Sequence, residues 1–265
     1  MAGFVAQSST TSGTSAAKPR ASKSGARAKK PKAAANALLL ERLFAELARI
    51  AEMSAVERQL REFGFRCIAG TDEVGRGCLA GPVVAACVVL NADESSLFGV
   101  NDSKLIAGED RLGLCRAILS RAAAVTIGVM EPETIDRVNI LQASKLAMAQ
   151  AVHDLPSRPE VLLLDAVTLE MVDMPQIPLI QGDRRSISIA AASIVAKVYR
   201  DLLMESYHER YPVYDFKHNR GYATESHQAA LKLYGPTPIH RRSFDGVDEP
   251  MMLFGSSEGH GGTAR

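Results

Sequence analysis

The sequence has no tryptophan, only 5% aromatic residues, and four cysteines in 265 residues. Cys67, Cys78, Cys87 and Cys115 are scattered, with no Cys-x-x-Cys pair and no Cys/His cluster. That pattern signals neither a disulfide framework nor a zinc site, so reduced, buried thiols and a cytoplasmic compartment are expected. No apolar run approaches the roughly 18–20 residues that span a bilayer, and no membrane association is expected. The Gly-x4-Gly-Lys-Ser/Thr phosphate loop, the His-Glu-x-x-His metalloprotease helix and the Gly-x-Ser-x-Gly nucleophile elbow are all missing.

Acidic residues are missing from one end of the chain. Overall, 31 Lys+Arg face 30 Asp+Glu for a net charge of +1. The first acid is Glu41, so Lys18, Arg20, Lys23, Arg27, Lys29, Lys30 and Lys32 stand unopposed. Setting those seven charges against the net +1 leaves about −6 on residues 41–265. Residues 1–36 are Ala, Ser, Thr, Gly, Lys, Arg and Pro with almost no large apolar side chain, a composition read as a disordered basic tail. It lacks the apolar stretch of a secretory signal. An inert solvated tail, a loose tether to nucleic-acid phosphates and an organellar leader remain open.

From residue 37 to 63 the apolar residues Leu39, Leu40, Leu43, Phe44, Leu47 and Ile50 recur at three- and four-residue spacing, which predicts a helical lead-in. Strand-length apolar runs follow at Cys67–Gly70, Val83–Leu90, Val125–Met130, Val161–Leu164 and Ile177–Ile180. Helical patterns occupy 109–123, 139–154, 186–209 and 224–234. Early strands lie close together and later ones are separated by helices. This order suits an α/β fold with a mixed sheet, antiparallel first and parallel later. A main domain over 64–245 and a flexible tail over 246–265 complete the expected organisation.

The most informative segment runs from Ile68 to Pro82, where Asp72 and Glu73 end an apolar strand and Gly75-Arg76-Gly77 follows. Neighbouring strand residues point to opposite faces, so both acids serve one site only if the strand ends or bulges there. Asp165 ends the Val161–Leu164 run, and Asp183 follows Ile177–Ile180. Ligand groups gather beyond the carboxyl ends of parallel strands, and four facing carboxylates need cations to hold their charge. Oxygen-only ligands favour Mg2+ or Mn2+ over zinc. Each acid taken singly reads as a cap or a surface residue, with Asp183 a candidate cap for the helix from Ser186. The Gly75-x-Gly77-x-x-Ala80 spacing also resembles a dinucleotide-binding turn, but the β-rich run from Val83 stands where that motif requires a helix.

At these residues the chain resembles the type 2 ribonucleases H, of the bacterial ribonuclease HII group, from about Arg66 to Phe244. The matching blocks are Asp72-Glu73-Val-Gly-Arg-Gly77, Asn101-Asp-Ser-Lys104, Asn139-Ile-Leu-x-Ala143, Leu164-Asp165, Gly182-Asp183, Ala191 to Lys197 with Arg200-Asp201, His218 to Thr224, and His240 to Phe244. The resemblance implies an RNase H-like fold with a five-stranded mixed sheet flanked by helices and a helical C-terminal region. It implies an endonuclease that hydrolyses the RNA of RNA/DNA hybrids and nicks 5′ to ribonucleotides embedded in duplex DNA, leaving 5′-phosphate and 3′-hydroxyl ends.

By the same resemblance, Asp72, Glu73, Asp165 and Asp183 hold two divalent ions, Mn2+ or Mg2+. Gly75, Arg76 and Gly77 read the ribose 2′-OH, the group that marks RNA. Tyr222 stacks under the deoxyribose on the 3′ side of the junction; without the resemblance it reads as a half-buried aromatic. Lys104, Ser193 and Lys197 are candidate backbone contacts, although Lys197 is also placed for an intrahelical ion pair with Asp201.

The family's paired lysines are reduced here to Lys104-Leu105, and its His-Lys-Gly-Tyr becomes His218-Asn-Arg220-Gly-Tyr222, where Arg220 is a substitute phosphate contact. Glycine rather than threonine in the turn favours HII over HIII. A monomer is expected, and Met251 to Phe254 lacks the residues of a sliding-clamp peptide. Two alternatives are another RNase H-like nuclease, indifferent to the 2′-OH, and a non-catalytic nucleic-acid-binding protein.

Overall fold

The computed structural model describes residues 32–91, 99, 100, 106 and 108–247. The chain divides into a first unit ending at Glu41 and a second from Arg42 onward. Helix α1 (Lys32–Met53) starts five residues before the expected boundary, in an alanine-rich stretch of high helix propensity. Its apolar stripe is only partly used: Ile50 and Met53 are buried, while Leu43, Phe44 and Leu47 stay exposed. A turn at Ser54 separates α1 from α2 (Ala55–Glu62). The buried Glu57 of α2 accepts the Ser186 hydroxyl at 2.5 Å and the Ser188 amide at 3.0 Å.

Among the described residues, five strands form one sheet in the order β3-β2-β1-β4-β5. They are β1 (Ile68–Val74), β2 (Val83–Leu90), β3 (Ala122–Met130), β4 (Val161–Asp165) and β5 (Gln176–Leu179). β1–β2 and β2–β3 are antiparallel, β1–β4 and β4–β5 parallel, as the spacing of the runs predicts. The all-apolar β2 is buried on both faces, and its residues divide by parity. Val84, Ala86 and Val88 join one core cluster with Ile118 and the start of a long helix; Val83, Ala85 and Cys87 join another with Ala147 and Met148.

The remaining helices are α3 (Gly108–Arg121), α4 (Pro132–Val138), α5 (Ile140–His153), α6 (Gly182–Arg185), α7 (Ile187–Arg210), α8 (Phe216–Asn219) and α9 (Glu225–Tyr234), with a 3-10 turn at Pro212–Tyr214. Ser186 caps α7 by accepting the Ile189 amide. At Gly70 a Cβ would collide with the backbone of Ser188 and Ile189, so β1 and the start of α7 meet main chain to main chain. The buried residues of α7 run from Ile187 to Ala196, then continue only at Arg200 and Met204. The four-residue spacing of Ile194, Val198 and Leu202 predicts one buried stripe, but Leu202 is exposed. Beyond Ala196 the helix outruns the sheet, and only its 196-200-204 face is covered by the C-terminal region. There Tyr214, Phe216, Ala230, Leu231, Ile239 and Val247 pack on Leu79, Ala80 and Met204.

All four cysteines are free, three of them buried. Among the described residues, no helix is long and apolar enough to cross a membrane.

Candidate active site

β1 does not end at Asp72. It continues in unbroken register with β2 through Asp72↔Ala86, Glu73↔Ala85 and Val74↔Val84. The expected break or bulge is absent, and the two acids point to opposite faces as regular pleating requires. They still reach one cleft because the neighbouring strand is shorter: pairing with β4 stops at Thr71↔Leu164. Past that point the edge of β1 is open, and both faces border the same space. Asp165 closes β4 opposite Leu179, and its Oδ1 accepts the Gly182 amide at 2.7 Å. That bond folds the chain back so that Asp183, inside α6 rather than capping the next helix, turns to the same side.

The cleft is lined by Asp72, Glu73, Asp165 and Asp183 together with Gly75, Arg76, Gly77, Ser193, Lys197 and Tyr222. Every expected site residue is brought together except Lys104, which lies outside the described residues. A larger apolar groove, lined by Met130, Leu146, Met171 and Met174 among others, contains none of them.

Negative charge dominates the cleft floor. Burial pushes the Asp72 carboxyl well above the ordinary range; Glu73 and Asp165 reinforce this, and the Ser193 hydroxyl partly offsets it by donating to the carboxylate. Burial also raises Glu73, against the pull of Arg76, whose Nη1 lies 3.1 Å from Glu73 Oε1. Lys197 brings little compensation, because its Nζ is 2.5 Å from Asp201 Oδ1. Lys197 lines the cleft and is ion-paired within α7. Burial lowers its pKa. Arg220 is likewise engaged, donating to the Asp201 carbonyl at 2.9 Å and to Glu205 at 2.8 Å.

Among the described residues, no three acids, histidines or cysteines are already closed around a metal position. The donor set nonetheless fits hard divalent cations: several carboxylates and a hydroxyl share one cleft, and burial holds Asp72 and Glu73 back from ionisation there.

Two residues behind the cleft were not singled out from the sequence. Arg200 and Arg241 are fully buried. Arg241 donates to the carbonyls of Gly75 (2.7 Å), Arg76 (2.8 Å) and Gly81 (3.0 Å). Arg200 donates to those of Ala80 (3.0 Å), Pro82 (3.0 Å) and Arg220 (2.8 Å). Burial brings the Arg241 guanidinium down to about 10. Together they fix the turn after β1 and tie it to the segment carrying Tyr222. Gly75 has φ +94°, and a Cβ there would collide with the Arg200 guanidinium. The available signal was spacing: Arg200 stands four residues from Ala196 and from Met204, on an otherwise apolar face.

A ribonuclease HII family model matches residues 69–247, the stretch holding all four acids, the turn, both arginines and Tyr222. Ribonuclease HII of Lactobacillus delbrueckii subsp. bulgaricus is 56% identical over 186 residues, 70% of this chain and 72% of that protein. Among solved structures, ribonuclease H2 from Pyrococcus horikoshii OT3 superposes with a TM-score of 0.60 at 25% identity, covering 68% of this chain and 95% of that one. Bst RNase HIII in complex with Mn2+ shares the fold, with a TM-score of 0.56 at 20% identity over 71% of this chain and 70% of that one. An acid-lined cleft at the open end of a mixed RNase H-like sheet, inside a stretch matched from strand β1 to the last described residue, makes the chain a member of the ribonuclease HII family.

Proposed function

We propose that this chain hydrolyses the RNA strand of RNA/DNA hybrids and nicks duplex DNA 5′ to embedded ribonucleotides, with divalent cations held by Asp72, Glu73, Asp165 and Asp183. Family membership makes it a ribonuclease H. The observation that carries the finer reading is that the four acids share one cleft with Gly75, Gly77 and Tyr222. When bound there, two divalent cations, Mn2+ or Mg2+, supply the charge that activates water and stabilises the leaving 3′ oxygen, giving 5′-phosphate and 3′-hydroxyl ends.

The chain's own groups supply placement. Asp72 and Glu73 approach from opposite faces of β1, Asp165 from the end of β4 and Asp183 from α6, so carboxylates surround the space a scissile phosphate must enter. Gly77 meets nothing within 4 Å of a notional Cβ. Its missing side chain is therefore not demanded by packing, and leaves room for a ribose to press against the backbone and bond through its 2′-OH. Tyr222, half exposed across the same cleft, offers a ring face to the next sugar. Ser193 and Lys197 stand on α7 where a backbone phosphate passes, a role that positions without reading sequence.

The decisive assay compares a duplex carrying one ribonucleotide with its all-DNA twin under Mg2+ or Mn2+. Cleavage confined to the 5′ side of the ribonucleotide is expected; equal cutting of both duplexes would overturn the proposal.

A further inference from the structure

The cleft residue Tyr222 is held from below by its main chain. Its N–H donates to the Asn219 carbonyl at 2.9 Å, and its carbonyl accepts the Thr224 amide at 2.8 Å. A second donor reaches the same carbonyl: His227 Nδ1, at 2.8 Å. His227 Nε2 in turn lies 3.0 Å from His240 Nε2, and His240 Nδ1 lies 2.9 Å from the Thr237 amide and 2.8 Å from its hydroxyl.

The protons in this chain have one consistent arrangement. A backbone amide can only donate, so His240 Nδ1 carries a lone pair toward Thr237. The His240 proton then sits on Nε2 and points at His227 Nε2, which must accept. That leaves the His227 proton on Nδ1, aimed at the Tyr222 carbonyl, a group that can only accept. Two rings hold two protons. A third would set one N–H against another, either between the rings or at Thr237. The surroundings agree: both rings are buried, His240 5.0 Å from the Tyr214 ring and 5.7 Å from Phe216, and His227 edge-on to Phe216 at 5.4 Å. The ionisable groups facing the pair are Tyr214 and, beside His240, Arg242, which repels a further charge. Burial lowers both imidazoles, His240 to about 4.

We infer that His227 and His240 are positioning residues for junction recognition, a neutral imidazole pair in opposite tautomers that fixes the main chain of Tyr222 at the cleft. This rests on the proposal that Tyr222 contacts the sugar beside the ribonucleotide. It adds that the aromatic ring's placement depends on a relay ending at Thr237, outside the cleft.

Nitrogen-15 NMR of the full-length protein tests the relay without any activity measurement. His227 protonated on Nδ1 and His240 on Nε2, both neutral at pH 6.5, is the expected result; a charged ring or either reversed tautomer overturns the inference. Kinetics test its use. His227→Phe keeps the ring bulk and loses the relay, whereas His227→Asn keeps an N–H near the Nδ1 position. The ratio of kcat/KM on a single-ribonucleotide duplex to that on a continuous RNA/DNA hybrid is expected to fall about tenfold in His227→Phe, the scale of a small misplacement, and to be largely restored in His227→Asn. A folded His227→Phe protein with an unchanged ratio overturns the positioning role, and if that variant does not fold the tautomers still decide. Failure of the wild type to prefer the ribonucleotide duplex over all-DNA would instead refute the proposed function.

Discussion

At the ends of β1 and β4, buried carboxylates sit beside one another with few cations to answer them. Behind the Gly75–Gly77 turn, two arginines just as deeply buried direct six hydrogen bonds at backbone carbonyls. Asp72 and Glu73 are raised by burial against one nearby guanidinium, Arg76, whereas the two arginines each meet three carbonyls. Unmet charge is costly in a folded protein and persists where a ligand completes it. Saturated charge is a fastening. On the proposed function the chemistry belongs to the acidic side, while the basic side holds the shape, with Gly75 at the junction of the two.

The sharpest way to break that contrast is Asp72→Asn. Cleavage is expected to fall on the order of a hundredfold or more, because the proposed function sets this carboxylate at the scissile phosphate. Stability should move the other way. Burial raises the Asp72 carboxyl above its ordinary 3.8, so the folded metal-free protein binds that proton more tightly than the unfolded chain does. The metal-free protein therefore loses stability as pH climbs from the ordinary carboxylate range through the raised native value. Near neutral pH, Asp72→Asn should raise the metal-free Tm and shrink the Tm gain produced by Mn2+. An unchanged cleavage rate would remove Asp72 from the chemistry.

Arg241→Lys probes the saturated side. One ammonium cannot reach three diverging carbonyls, and the unmet acceptors are expected to cost about 3 kcal/mol. For a domain of this size that is roughly a 6–12 °C fall in Tm. The Mn2+ response should survive in whatever fraction remains folded; a wild-type Tm would show that the guanidinium is not the fastening.

Tyr222→Ala should have the smallest effect, about a tenfold loss of kcat/KM on the junction duplex, the lower end of aromatic stacking. The Mn2+ shift in Tm should be unchanged, since the phenol is not among the acids. Loss of the metal response would blur the division between the two sides.

The five strands, their change from antiparallel to parallel pairing and the positions of the four acids were legible in the sequence because they depend on local pattern: apolar runs of strand length, and a charged residue where a run stops. The assumption that β1 must break at Asp72 failed for a reason no local pattern contains, namely that β4 is the shorter partner. Leu202 failed similarly, its spacing being right for a helix covered along its whole length. Arg200, Arg241, His227 and His240 were the least legible. Polar residues at such positions read as solvated, and their burial arises only when residues 75–82, 200–204, 220–227 and 237–241 fold together.

Glu57 bears on where this enzyme can be cut. The family match opens at residue 69, which invites treating everything upstream as a leader. Yet the Glu57 carboxylate receives the hydroxyl and amide that open α7, two residues beyond the α6 turn bearing Asp183. Trimming to the matched stretch would strip that anchor and take from the Ser186 hydroxyl and the Ser188 amide the carboxylate they donate to. The compact unit starts further upstream still, at Arg42 within α1, whose Ile50 and Met53 join the core cluster on β2, and α2, a helix that lines no part of the acidic cleft, belongs with the body that carries it.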